Sequence, residues 1–193
     1  SKVTSKPLFQ SEKPPEMQEA MNNDKLAAIK LLLLDVDGVL TDGSITYTDS
    51  GEEIKQFSAK DGLGLRLLMK SGVRVGIITG RQSDALLYRC RNLGIDLVFD
   101  GVKHDKTNAF ETVLKETGLT ASETAFAGDD LPDIPVMKMA GVGFAVADAA
   151  DEVIENSDIT TLRPGGRGAV REISEQILKA KGKWRDATAP YFS

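Results

Sequence analysis

The chain is short of several things that would anchor a function. Among its 193 residues there is one cysteine, Cys90, so neither an internal disulfide nor a cysteine-rich zinc site can form, which suits a reducing cytoplasm. The only histidine, His104, stands alone and reads as a solvated loop residue. No apolar run approaches the ~18 residues of a membrane span, and no apolar signal core opens the chain. A cytoplasmic location is therefore expected. Positive charge is in deficit: the net charge is −5, with 24 basic against 29 acidic residues. That balance disfavours nonspecific binding to nucleic acid or to an anionic membrane. No long repeat or low-complexity tract is present.

What is present suits one folded domain. Apolar residues make up 41% and charged residues 27%, which excludes a wholly disordered chain. At ~150 residues per domain the length predicts roughly one. Residues 1–28 read as an arm, proline-punctuated up to Pro15 and then a short helix over Glu16–Ala28. Residues 29–181 read as the domain, and 182–193 as a polar tail carrying Trp184, Tyr191 and Phe192.

Within the domain, Leu31–Leu34 is a short apolar run stopped by Asp35-Val36-Asp37-Gly38, the pattern of a buried strand. Similar runs recur at 73–78, 97–99, 124–127 and 143–146. Helical stretches are predicted between and after them, at 62–71, 83–93, 106–117, 133–140 and 168–181. This alternation predicts an α/β fold, a parallel sheet with helices on both faces. One segment breaks it: alternating residues over Ile45–Phe57, around Asp49-Ser50-Gly51, predict a β-hairpin inserted at about 43–58.

In open α/β sheets ligands sit at the carboxyl ends of the strands, and the reactive side chains fall there. Asp35 and Asp37 are two apart, so in extended chain they share a face. Asp129 and Asp130 follow the fourth run, with Asp133 three residues on. Thr79-Gly80-Arg81 follows the second run, and Lys106 opens a helix after the third. Bringing Asp35, Asp37 and Asp129 together is costly without a cation. A hard divalent ion such as Mg²⁺, with oxygen ligands and a phosphate, resolves the repulsion. A carboxylate can attack phosphorus, and a second can protonate the leaving oxygen and then activate water. Capping or turn roles are the plainer alternative for any one of these aspartates. Arg89 lies eight residues after Arg81, close to one helix face.

Asp35-Val36-Asp37-Gly38-Val39-Leu40-Thr41-Asp42, Thr79, Lys106 and Gly128-Asp129-Asp130-Leu131-Pro132-Asp133 resemble, in order and spacing, the four motifs of the haloacid dehalogenase superfamily of phosphohydrolases. The similarity covers roughly Ile29–Ala180. It implies a Rossmann-like core and Mg²⁺-dependent phosphoryl transfer. Asp35 would be nucleophile and metal ligand, and Asp37 acid/base and a ligand through its backbone carbonyl. Asp129 would be the third ligand, with Asp130 and Asp133 behind it. Thr79 and Lys106 would hold the phosphoryl group.

Gly51-Glu52-Glu53, Phe57-Ser58-Ala59-Lys60-Asp61-Gly62, Thr79-Gly80-Arg81 and Gly165-Gly166-Arg167-Gly168-Ala169-Val170-Arg171-Glu172 further resemble one capless subfamily. Its members hydrolyse 3-deoxy-D-manno-octulosonate 8-phosphate (KDO 8-phosphate) for lipopolysaccharide synthesis. They are homotetramers whose active sites are completed by neighbouring subunits. By this resemblance Asp37, Ser58, Ala59, Lys60, Asp61, Gly62, Arg66, Gly80, Arg81, Arg89 and Lys106 would contact the acidic sugar phosphate. Two alternatives stay open: a related keto-acid sugar phosphate, such as a sialic-acid-type 9-phosphate, as substrate, and a non-catalytic oligomerisation domain. The complete set of motif residues favours an enzyme.

Overall fold

The four leucines of β1 (Leu31–Leu34) are completely buried, and the rest of the fold is arranged around them. The structure is a computed structural model, which describes residues 15–102 and 105–193. Helix α1 (Pro15–Ala28) leads into β1 and is followed by the two short strands β2 (Thr46–Tyr47) and β3 (Glu53–Ile54). Then come α2 (Ala59–Lys70), β4 (Arg74–Ile78), α3 (Asp84–Leu93), β5 (Leu97–Phe99) and α4 (Thr107–Thr117). The second half runs β6 (Thr124–Gly128), α5 (Ile134–Met139), β7 (Val142–Ala145), α6 (Asp151–Glu155), β8 (Ile159–Thr160), α7 (Ala169–Ala180) and α8 (Trp184–Thr188).

Six strands form one parallel sheet in the order β5-β4-β1-β6-β7-β8. From β1 the chain steps outwards to β4 and β5, then crosses back to β6 and continues the other way. Right-handed crossovers put α2 and α3 on one face and α4 and α5 on the other, and the packing of α2 against α3 and of α4 against α5 agrees. Helix α7 packs on α2, and α1 on α7. The reversal of direction beside β1 opens a crevice at the strand ends. Strands buried on both faces read as continuous apolar runs, and Phe110, Phe126 and Phe144 fill the space between sheet and helices.

The hairpin is present as an antiparallel pair, Thr46 opposite Ile54 and Tyr47 opposite Glu53. Three features differ from the sequence reading. Helix α2 begins at Ala59 rather than Gly62, because Ser58 caps it by accepting from Asp61 N at 3.3 Å. Two short elements, α6 and β8, were not expected. The tail contains α8, where Trp184 packs against the core beneath Arg171 and Lys179.

Candidate active site

The site forms where β1, β4 and β6 end side by side, together with the loop before α4. Asp35 follows β1 and donates its N–H to Ala127 O at 3.0 Å, which fixes it beside β6. The chain then turns at Gly38, which has φ +85°. A Cβ there would overlap the Asp129 carboxylate, so glycine serves both the left-handed backbone and the space Asp129 needs. Buried Thr41 holds this turn, its Oγ1 accepting from Gly38 N at 3.3 Å and Gly43 N at 3.2 Å.

Thr79 follows β4, donating its N–H to Phe99 O at 2.9 Å and accepting from Val102 N at 3.0 Å. Asp105 accepts from Thr107 N at 2.9 Å and so caps α4, leaving the Lys106 side chain to turn inwards. At 5% exposure Lys106 is a buried cation, and it reaches Asp35 Oδ1 at 3.0 Å and Asp133 Oδ1 at 2.7 Å. Asp133 closes a short 3₁₀ turn, Leu131–Asp133, with Pro132 inside it. Its second oxygen accepts from Asp129 N at 2.9 Å and Asp130 N at 3.3 Å. Both Asp133 oxygens are thus committed to shaping the loop and holding Lys106.

Asp35, Asp129 and Asp133 each bring a carboxylate oxygen within 4.8 Å of the others. Burial, and then the charge of Asp133, push the Asp35 carboxyl above the ordinary carboxylate range against the pull of Lys106. Burial, followed by the charges of Asp35, Asp133 and Asp130, pushes Asp129 up to about 8. Burial pulls Lys106 down, but Asp35 and Asp133 outweigh it and hold its ammonium above its usual value. One lysine does not neutralise this cluster. The donor set, all oxygen and in excess of negative charge, fits Mg²⁺, whose hard charge relieves the repulsion. With both Asp133 oxygens engaged, Asp35 and Asp129 are the carboxylates of the cluster left to hold such an ion.

A cavity of about 440 Å³ opens on this cluster. Of the residues singled out in the sequence, Asp35, Asp37, Thr79, Gly80, Arg81, Lys106, Asp129, Asp130 and Asp133 line it. Gly43, Val102 and Pro132 line it too and carried no reactive-group signal. Ser58, Ala59, Lys60, Asp61, Gly62, Arg66 and Arg89 do not line it. They gather at the start of α2 beside α3, where Arg89 Nη2 donates to Ser58 O at 3.1 Å and Arg66 Nη2 to Asn92 O at 3.0 Å. The expected common helix face for Arg81 and Arg89 is not formed, because Ser83 caps α3 and Arg81 precedes it. Asp61 differs as well: 1% exposed, it accepts from Arg171 N at 2.8 Å and anchors α7 to α2. Lys103 and His104 lie outside the described residues.

The sequence reading assigned Lys55 no role and included Glu53 only within the Gly51-Glu52-Glu53 motif, without a place in the site. From the hairpin, Lys55 Nζ meets Asp37 Oδ1 at 2.5 Å and Glu53 Oε1 at 3.0 Å, the latter an ion pair without hydrogen-bond alignment. Arg81 donates to Glu53 Oε2 and, at 3.0 Å, to Tyr47 Oη. Period-two alternation, which puts residues 53 and 55 on one face, was the available signal.

Comparison with known proteins places the chain. The family model for haloacid dehalogenase-like hydrolases matches residues 99–172. The 3-deoxy-D-manno-octulosonate 8-phosphate phosphatase of Haemophilus influenzae is 45% identical over 159 residues, 82% of this chain and 88% of that protein. The enzyme of the same name from Escherichia coli K12 is 44% identical over 163 residues, 84% and 86% of the two. The Moraxella catarrhalis phosphatase, solved in complex with magnesium ion, phosphate ion and KDO, superposes with a TM-score of 0.85 at 42% identity, covering 89% of this chain and 97% of that one. The chain belongs to the haloacid dehalogenase-like hydrolases, and within them to the 3-deoxy-D-manno-octulosonate 8-phosphate phosphatase family.

Proposed function

We propose that this protein is a Mg²⁺-dependent phosphatase that hydrolyses KDO 8-phosphate to KDO and phosphate, in the cytoplasm, as a step of lipopolysaccharide synthesis. The observation that carries the reading is the pairing of buried Lys106 with Asp35, 3.0 Å apart, at the floor of the cavity. A carboxylate beside a fixed cation suits attack on a phosphoryl group whose charge that cation also attracts.

The Asp35 carboxylate attacks phosphorus in line, the bond from phosphorus to the sugar oxygen breaks, and an aspartyl-phosphate forms. Asp37, which lines the same cavity, gives its proton to the departing sugar oxygen. It then takes a proton from the water that attacks the aspartyl-phosphate, releasing phosphate and restoring Asp35. Lys106 and the Thr79 hydroxyl hold the phosphoryl oxygens throughout. Asp35, Asp129 and the Asp37 backbone carbonyl would hold Mg²⁺, which would supply further positive charge for the phosphate. Asp130 and Asp133 support the ligand loop.

We assign Arg81, which lines the cavity, to reading the sugar acid, a role that suits its planar fork of donors. Ser58, Ala59, Lys60, Arg66 and Arg89 lie outside the cavity of their own chain, and we assign them to the site of a neighbouring copy in a homotetramer, whereas buried Asp61 and Gly62 serve the packing of α2. The exposed hairpin side chains Ile45 and Ile54 suit burial against such copies. The proposed catalytic unit spans 29–181, flanked by the arm at 1–28 and the tail at 182–193. The test is phosphate release from KDO 8-phosphate by the wild type and by Asp35→Asn, with and without Mg²⁺. Release should require both Mg²⁺ and Asp35. A variant within about tenfold of wild type, far short of what loss of a nucleophile costs, removes Asp35 from the reaction.

A further inference from the structure

The hairpin is more than a surface feature, because its inward face closes a ring of charge with the cavity wall. Lys55 is 4% exposed and Glu53 17%, whereas Ile54 between them points outwards. Around the ring, Asp37 Oδ1 meets Lys55 Nζ at 2.5 Å, and Lys55 Nζ meets Glu53 Oε1 at 3.0 Å. Glu53 Oε2 accepts from Arg81 Nη2, and Arg81 Nε lies 3.6 Å from Asp37 Oδ2. Two acids and two bases alternate around the ring. Its core members, Asp37 and Arg81, line the cavity, and its hairpin members stand behind them.

A lysine this buried persists only where partners hold it. Strands of two residues do not hold a hairpin on the protein by themselves. The ring therefore fixes the hairpin and the Asp37 carboxylate together. Both Asp37 oxygens face a ring cation, and Lys55 makes the closer contact. We infer that Lys55 is a positioning residue for the reaction: from the hairpin it aims the Asp37 carboxylate at the leaving oxygen, while Glu53 orients Lys55 and Arg81 together. This rests on the proposed phosphatase reaction, in which Asp37 gives a proton to the sugar oxygen as the phosphorus–oxygen bond breaks.

The consequence is dependence on the leaving group. An alkoxide needs the proton as it departs, whereas p-nitrophenolate leaves without it. The experiment measures kcat and KM on the full chain with Mg²⁺, using KDO 8-phosphate and p-nitrophenyl phosphate. The variants are Lys55→Met, Lys55→Arg and Glu53→Gln. Lys55→Met should lower kcat/KM, which reports the steps up to departure of the leaving group and not the later attack of water, roughly 10- to 100-fold on the sugar phosphate, within what a well-aimed general acid contributes, and by less than about threefold on p-nitrophenyl phosphate. Lys55→Arg, which keeps a cation facing Asp37, should recover most of the loss, and Glu53→Gln should show a smaller loss with the same leaving-group bias. Equal losses on both substrates, or no loss on either, overturn the inference. If Lys55→Met does not fold, the ratio of losses for the other two variants decides it. A wild type that spares KDO 8-phosphate but cleaves another alkyl phosphate refutes the substrate reading alone. The leaving-group ratio is then read on that alkyl phosphate.

Discussion

Lys106→Met tests the electrostatic construction of the site through stability alone. The side chain is 5% exposed and sits between Asp35 and Asp133 at 3.0 and 2.7 Å. Removing one partner of a buried pair costs about 3–5 kcal/mol, because the remaining charge is left buried and uncompensated. A chain of this length loses ~2–4 °C of Tm per kcal/mol, so a fall of roughly 6–20 °C is expected in EDTA at pH 8. The fall should shrink at pH 5. Burial already holds Asp35 and Asp129 above the ordinary carboxylate range, and without the lysine they rise further. An acid whose pKa is raised by folding costs nothing below its unfolded pKa. It destabilises progressively as pH climbs towards the folded value. At pH 5 much of the uncompensated charge is therefore removed by protonation. Millimolar Mg²⁺ should restore part of the loss at pH 8 by supplying cationic charge. Circular-dichroism melts of wild type and variant at both pH values, with EDTA or Mg²⁺, decide the matter. A deficit below about 2 °C at pH 8, where a broken buried pair predicts several degrees, refutes the reasoning, as does a deficit larger at pH 5.

In EDTA the wild type should itself lose stability between the ordinary carboxylate range and about pH 8, the range over which Asp129 takes up a proton on folding. Asp129→Ala should flatten that profile, lower activity and raise the Mg²⁺ concentration that activity needs, and an unchanged metal titration would remove Asp129 from the metal site. Arg81→Ala should depress kcat/KM for KDO 8-phosphate far more than for p-nitrophenyl phosphate, and equal losses would argue against recognition of the sugar acid.

Much of this was legible in the sequence because a parallel sheet converts order along the chain into proximity. Asp35, Thr79 and Asp129 each follow an apolar run, and adjacent parallel strands bring those ends together. β8 was not legible because two residues, Ile159 and Thr160, carry no periodicity. The early start of α2 was hidden by Gly62 and Gly64, poor helix formers that allow the close approach of Arg89 and of α7. Asp61 was expected to contact substrate, but its carboxylate is taken by the Arg171 backbone, 110 residues away, a pairing no local pattern encodes. Lys55 and Glu53 were visible as a same-face pair on a strand. Which surface that face meets is decided by how the hairpin folds back, and local sequence does not encode it.

The most direct test of the central claim is phosphate release by the purified protein with Mg²⁺. KDO 8-phosphate, a sialic-acid-type 9-phosphate and a panel of hexose phosphates would be compared by kcat/KM. The account predicts a preference for KDO 8-phosphate of about 100-fold or more over the hexose phosphates, the scale set by one well-recognised charged group. A flat profile, or a preference for the 9-phosphate, would contradict it.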